Sequence, residues 1–353
     1  MPTAEPGAWC SVHVHRYERQ DELLTDGVAP LLSALRAERA VSGFFFLRYW
    51  KGGHHLRLRL RVTAPDPAAV LDAVTAGLRD YCAANPAGAA FDVAAFRAAQ
   101  ATMAALEDEE SDEVQPPDTV RTGHYEPEYG KYGGPAGVRL AEQFFARSSD
   151  AVLHGLPALG ERASRRLGAG FSAMLRGLAA AGHGPDEMAR FFADYCLLWS
   201  PYVFDAFLGT WPDLLRARTA TLARHAAAVL AAAELGATEL GAAELGATEL
   251  GAAGEDPVSA AIRTALDGVR RAGPEVLAAV TLAGPGAPPW RRRQVLLTSY
   301  LHTHNNRLGL IPQQEALLGY LGHHVLSAHA GRPADAGLLA RLTRHRAARL
   351  ATA

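Results

Sequence analysis

Between His54 and Val62 the chain alternates polar and apolar, and every polar position from 55 to 61 carries an imidazole or a guanidinium. Successive side chains of a β-strand point to opposite faces. His55, Arg57, Arg59 and Arg61 therefore share one face, and Leu56, Leu58, Leu60 and Val62 share the other. Like charges stacked on one face repel unless carboxylates or an anionic ligand answer them. The strand thus carries either a solvated outer face or a cationic surface for an anion. Arg48, on the preceding strand between Phe46 and Trp50, is a candidate for the same surface.

Two further clusters hold reactive residue types. His124 to Gly134 packs Tyr125, Tyr129, Tyr132, Glu126, Glu128 and Lys131 ahead of a Gly-Gly pair. Lys131 is one of only two lysines, the other being Lys51. Aromatic and charged residues on a glycine-rich segment suit a binding loop. The same rings also suit packing over a domain edge, with Glu128 and Lys131 pairing as i, i+3 neighbours. In Ser299 to Leu310, helical spacing places Ser299, His302 and Asn306 on one face and Tyr300 and His304 on another. A histidine between an amide and a hydroxyl can act as general acid or base near neutral pH. It can equally be a buried ring fixed by an amide hydrogen bond.

Several chemistries lack their motifs. Fourteen histidines invite a metal, but His302 and His304 diverge on a helix, His323 and His324 are adjacent, and no His-Glu-x-x-His or Cys-x-x-Cys occurs. No metal site is expected. Gly-x-Gly-x-x-Gly, Walker-type and Gly-x-Ser-x-Gly motifs are absent, so no cofactor is expected either. Cys10, Cys82 and Cys196 are far apart and read as reduced thiols. A net charge of −2 argues against direct nucleic-acid binding. No apolar run approaches the roughly 20 residues of a membrane span, and no signal peptide is visible. A cytoplasmic location and no membrane partner are the expectation.

The elements that position these residues can be read from their periods. Cys10 to Tyr17 alternates as a strand, with Val12 and Val14 against Ser11, His13 and His15. Leu24, Val28, Leu31, Leu32 and Leu35 recur at helical spacing. Phe44 to Trp50 and His55 to Thr63 form a hairpin about Lys51-Gly52-Gly53. Asp66 before Pro67 starts a helix. Residues 107–118 read as an acidic solvated loop. Residues 137–224 read as helical, broken at Pro157, Gly182–Pro185 and Pro201. Glu-Leu-Gly recurs every five residues from 234 to 249, a period matching neither helix nor strand, so 231–254 reads as a low-complexity insertion. Helices return over roughly 290–306 and after Pro312. The class is α+β: a small N-terminal mixed strand-helix portion with a β-hairpin, then a larger helical portion. The chain is read as one domain over 1–353.

Taken together, the three clusters resemble one family. Phe44-Phe45-Phe46-Leu47-Arg48-Tyr49-Trp50 followed by His55-Leu56-Arg57-Leu58-Arg59-Leu60 is similar to its FFxRY…HLRLRL hairpin. Tyr125 to Gly134 is similar to its YxPExxRYGG, and His302-Thr303-His304-Asn305-Asn306-Arg307-Leu308 to its HxxxNRL. The family is the C-terminal domain of lantibiotic dehydratases, which also occurs as stand-alone thiopeptide-type bacteriocin biosynthesis proteins. The resemblance implies removal of glutamate from glutamylated Ser or Thr of a precursor peptide, leaving dehydroalanine or dehydrobutyrine. It makes Arg57 and Lys131 candidates for enolate and glutamate binding, His302 for proton transfer, and Glu128 a second acid/base or a cation-orienting group. Arg48, His55, Arg59, Tyr132, Ser299 and Asn306 are the substrate-binding candidates around them.

The family usually has arginine where this chain has Lys131, and lysine keeps the charge without the bidentate fork. Some stand-alone relatives instead join two dehydroalanines by a formal (4+2) aza-cycloaddition that builds a pyridine and expels the leader peptide. Elimination is the favoured reading, cycloaddition the alternative, and a non-catalytic leader-binding scaffold the second alternative. The partners implied are a precursor peptide of leader plus core and a separate tRNA-dependent glutamylation protein. Homodimerisation is compatible with the sequence, which carries no signature for it.

Overall fold

The computed structural model describes residues 7–87, 92–107, 109–160, 162–234 and 256–352. The chain divides into two compact units. The first comprises residues 1–127 and 145–157, the second residues 128–144 and 158–353. The α+β class holds, with a small sheet near the N-terminus and helices making up most of the rest.

The first unit is built on a four-stranded antiparallel sheet: β1 Trp9–His15, β2 Val41–Tyr49, β3 His55–Val62 and β4 Val120–Gly123, in the order β2-β3-β1-β4. The alternation read from β1 and β3 sets its two faces. Val12, Val14, Phe44, Phe46, Leu56, Leu58, Leu60 and Val62 are buried, each worth about 1.5–3 kcal/mol of apolar burial. Helices Ala29–Ala37 and Pro67–Ala84 touch the sheet and add Leu32, Leu35, Val74 and Leu78 to this core. Asp66 caps the second helix as its spacing predicts, its carboxylate accepting from the amides of Ala68 and Ala69 at 3.1 Å.

The hairpin turns where expected. Gly53 has φ 103°, and a Cβ there would strike the Tyr17 hydroxyl, so the turn needs glycine twice over. Arg48 stands in register with Leu56 rather than with Arg57. Pleating therefore sends it to the apolar face, where it pairs with Asp21 at 2.6 Å. It does not join the cationic surface. The acidic segment is partly engaged: Glu109 pairs with Lys51 at 3.0 Å, and Asp118, at φ 62°, pairs with the buried Arg16.

The second unit is helical. Its principal helices are Ala163–Ala180, Pro185–Trp199, Trp211–Glu234, Pro257–Ala272, Pro289–Leu308, Pro312–His329 and Leu338–Thr352. Helices Pro185–Trp199 and Pro312–His329 approach closely because Gly319 and Gly322 face the partner. A Cβ at Gly319 would lie 2.7 Å from the Cys196 backbone nitrogen, and one at Gly322 would lie 2.5 Å from the Phe192 ring. Pro157 does not break its helix, which runs over Gly134–Leu159. The proline removes the amide donor that would meet the Leu153 carbonyl, and the helix ends two residues later. Of the Glu-Leu-Gly segment, Glu234 closes the helix Trp211–Glu234, and residues 235–254 lie outside the described residues.

Candidate functional site

The second face of the sheet is polar. Strand register builds it in rows across the strands. Tyr49, His55 and His15 form one row. Leu47, Arg57, His13 and Arg121 form the next, and Phe45, Arg59, Ser11 and Gly123 the third. Three imidazoles thus stand among three guanidiniums. The His13 and His55 rings stack at 5.1 Å, and those of His15 and His55 lie 4.5 Å apart.

The hydrogen bonds fix the tautomers. His55 Nδ1 donates to the Gly53 carbonyl at 2.7 Å, which leaves Nε2 to accept from Arg57 Nε at 3.1 Å. His15 Nε2 accepts from Arg121 Nε at 3.4 Å. Burial first, then the neighbouring arginines, lowers His13 to about 3. Burial and then Arg121 and Arg57 lower His15 to about 4. His55 falls to about 2, chiefly through burial. All three are neutral at neutral pH and offer hydrogen bonds rather than charge. The charge belongs to the arginines. Arg57 lies over the Tyr49 ring at 3.4 Å, and Arg59 over Phe45 and Tyr125 at 5.8 and 5.5 Å.

In the helical unit the proton-transfer candidate His302 lies on Pro289–Leu308. Its Nδ1 lies 2.9 Å from Glu315 Oε1, and its ring stacks on Trp199 at 4.3 Å. Glu315, the fourth residue of the next helix, is fully buried. Its other oxygen accepts from the Tyr195 hydroxyl and from Asn305 Nδ2 at 3.2 Å. Glu315, Gly319 and Gly322 share one helix face, so the glycines that bring the two helices together also seat the carboxylate against Tyr195. With Nδ1 donating to a carboxylate, the neutral ring presents an Nε2 lone pair. This is the arrangement of an oriented general base. Ser299 bonds the Val295 carbonyl at 2.8 Å, and Asn305 enters the His302 network through Glu315.

Glu128 precedes the short helix Tyr129–Tyr132, Lys131 lies within it, and the two pair at 3.2 Å. The Glu128 side chain is 61% exposed and that of Lys131 25%. Tyr132 is buried and stacks on Tyr300 at 6.1 Å. The sheet-face residues lie in the first unit, whereas Glu128, Lys131, Tyr132, Ser299, His302 and Asn306 lie in the second. Among the described residues no group of three or more His, Cys, Asp or Glu has the geometry to hold a metal ion, and no helix is long and apolar enough to cross a membrane.

A model of the lantibiotic biosynthesis dehydratase C-terminal family matches residues 9–326. The chain belongs to this family. No curated protein sequence matches it. Among solved structures it is similar to the pyridine synthase TbtD from thiomuracin biosynthesis, with a TM-score of 0.70 and 22% identity over 92% of this chain and 99% of that one. It is similar to TsrL, with a TM-score of 0.58 and 19% identity over 95% and 98%. It is also similar to the tRNA-dependent lantibiotic dehydratase MibB from Microbispora sp. 107891, with a TM-score of 0.50 and 22% identity over 94% of this chain but 29% of that one. At these identities the likeness concerns the fold.

Sequence reasoning missed four members of this family chain's polar clusters. His13 and His15 were legible as the polar face of a strand, but nothing in the sequence paired that strand with β3. Arg121 sits on a four-residue strand too short to show a period. Glu315 lies 13 residues beyond His302, across a turn.

Proposed function

We propose that this chain acts on a ribosomally made precursor peptide and joins two dehydroalanines by a formal (4+2) aza-cycloaddition. The observation that carries the choice over elimination is the Glu128–Lys131 pair. Lys131, which stands at the family's arginine, is turned to a neighbouring carboxylate and has no planar fork for a departing glutamate. The similarity to a pyridine synthase over nearly the full length of both chains supports the same reading.

The chemistry suits the residues. One dehydroalanine and its preceding amide, as the imidic-acid tautomer, supply four atoms, and the second dehydroalanine supplies two. Two carbon–carbon bonds form. Water leaves from the former amide carbon, and the leader leaves as its carboxamide, so the ring becomes aromatic with no external oxidant. Tautomerisation and dehydration both move a proton. His302, with Glu315 fixing Nδ1 and Nε2 presented, is the residue for that transfer. The Trp199 indole against its ring sets an apolar wall beside the base. Such a reaction belongs in the cytoplasm, where the precursor is made.

Elimination is the second reading, favoured by one observation: the arginine-rich sheet face, which suits a carboxylate leaving group. Mass spectrometry of the precursor separates the two. Incubated with the dehydrated peptide, the chain is expected to release the leader and create a pyridine chromophore, with no free glutamate from the glutamylated peptide. Free glutamate and new dehydroamino acids from the second sample would replace this reading with elimination. Leader binding without either product would leave a scaffold.

A further inference from the structure

Glu315 is fully buried, and a carboxylate out of water keeps its charge only where donors replace the solvent. Three donors meet it: the Tyr195 hydroxyl and Asn305 Nδ2 on Oε2, and His302 Nδ1 on Oε1. Among the described residues no lysine or arginine pairs with it. Its charge rests on these three groups.

The two donors on Oε2 are not equal. Asn305 Nδ2 lies 3.2 Å from Oε2 and 3.4 Å from the Tyr195 oxygen, so it divides between the two. The Tyr195 hydroxyl has one proton and gives it to Glu315. Burial, and then the carboxylate, push this phenol well above its ordinary range, so it stays a donor. Its ring is held from two sides, stacked on Phe191 at 5.8 Å and edge-on to Trp199 at 6.1 Å. Of the titratable groups nearby, Tyr202 meets Trp199, and Arg307 acts on His304 and Tyr132.

The consequence reaches the imidazole. While Glu315 is anionic it accepts from His302 Nδ1, and Nε2 keeps its lone pair. A carboxylate that loses a donor becomes the better base. It can then take the Nδ1 proton for itself as the ring accepts one from solvent at Nε2. The pair has gained one proton, and the lone pair that a base needs is gone.

We propose that Tyr195 is a positioning residue that acts through Glu315 to fix the tautomer of His302 and keep Nε2 open as a base. The proposal rests on the reading of His302 as the proton-transfer residue and adds to it the group that holds it ready.

The test labels the histidine rings of the full chain with nitrogen-15 at neutral pH and assigns His302 by its loss in His302→Ala. The nitrogen shifts tell which ring atom carries the proton. The native ring is expected to hold it on Nδ1, with Nε2 bare. Tyr195→Phe keeps the ring and removes the hydroxyl. It should show a protonated Nε2 in a measurable share of molecules and lower kcat for pyridine formation about tenfold at unchanged KM. Tyr320→Phe, another buried ring of the same unit, should change neither. In a Glu315→Gln chain, adding Tyr195→Phe should lower kcat no further, because the hydroxyl acts through the carboxylate. Three results would each overturn the proposal: a native ring protonated at Nε2, an unchanged His302 spectrum in folded Tyr195→Phe, or losses in kcat that add in the double variant. The first needs no variant, so a Tyr195→Phe chain that fails to fold does not shield it. The spectrum is read without turnover. A moved tautomer in Tyr195→Phe with no pyridine from the native chain keeps this assignment and removes the reaction, and pyridine formation with an unmoved tautomer does the reverse.

Discussion

On the sheet of the first unit three imidazoles stand among three guanidiniums, and His55 and His15 are hydrogen-bonded to a backbone carbonyl and to arginines. In the helical unit one imidazole is held by a carboxylate that is itself fully buried. The residue type is the same and the surroundings are opposite. On the sheet, burial and cationic neighbours strip the rings of their protons, so their value lies in hydrogen bonds to something negative. At His302 a carboxylate fixes one nitrogen and leaves the other to meet a proton. The first arrangement suits receiving charge and the second suits the proton transfer proposed above.

Acid should separate the two most sharply. His13, His15 and His55 have folded pKa values of about 3, about 4 and about 2, below the roughly 6.5 of an imidazole in an unfolded chain. The unfolded state therefore takes up protons first. The stability held by these neutral rings is complete above about pH 6.5 and is lost as pH falls toward the folded values, at about 1.4 kcal/mol per pH unit for each ring. Urea unfolding at a series of pH values is expected to show two to three protons bound on unfolding near pH 5. A pH-independent unfolding midpoint from pH 7 to pH 5 would refute neutral, buried rings.

The helical side is tested by removing its proposed base and then the carboxylate that holds it. His302→Ala is expected to lower pyridine formation about 10²–10⁴-fold, read by mass spectrometry, while leaving the fold intact because the ring is partly exposed. Glu315→Leu should act on the fold instead. It strands the donors of Tyr195, Asn305 and His302, and an unmet buried donor costs about 1–3 kcal/mol, so a loss of about 3 kcal/mol in urea unfolding is expected. Glu315→Gln keeps the volume and removes the charge. A fall in kcat at unchanged KM marks a positioning role, and unchanged kcat would make the carboxylate purely structural.

A smaller effect is expected at Gly123. In Gly123→Ala the new methyl meets the His13 ring, which must swing away. Such overpacking costs about 1–2 kcal/mol. The His13 ring signals should move while those of His55, on the far side of β1, move less. Unmoved His13 signals would show that the ring has room that the sheet does not provide.

How much of this was legible in the sequence depended on distance along the chain. Strict alternation in His55–Val62 foretold both faces of β3, and Asp66-Pro67 foretold a helix start, because each signal is complete within a few residues. The row His13–Arg57–Arg121 was not legible, since it is assembled from three strands and its last member lies on one of four residues. Arg48 was misread for a related reason. Its face depends on hairpin register, and Tyr49, not Arg48, meets His55. The turn at Leu23–Val28 is π-helical within a segment whose leucines read simply as helix. Glu315 was hidden because its partners come from two other helices.

The smallest expected effect bears most directly on which reaction the chain performs. Glu128 and Lys131 are an i, i+3 pair with most of the Glu128 side chain in water. Exposed pairs of this kind contribute about 0–1 kcal/mol, so Lys131→Arg should leave the unfolding midpoint where it is. Its effect on function depends on what the position does. A leaving glutamate would gain from arginine's planar fork, because two parallel N–H donors match a carboxylate and a lysine ammonium does not. If the position only carries a surface pair, the substitution changes pyridine formation by less than about twofold and yields no glutamate from the glutamylated peptide, within the range expected of a surface change. Appearance of free glutamate in Lys131→Arg, with none released by the native chain in the same assay, would mean that one guanidinium is all that separates the two activities. It would move the origin of the difference from the whole fold to this single loop.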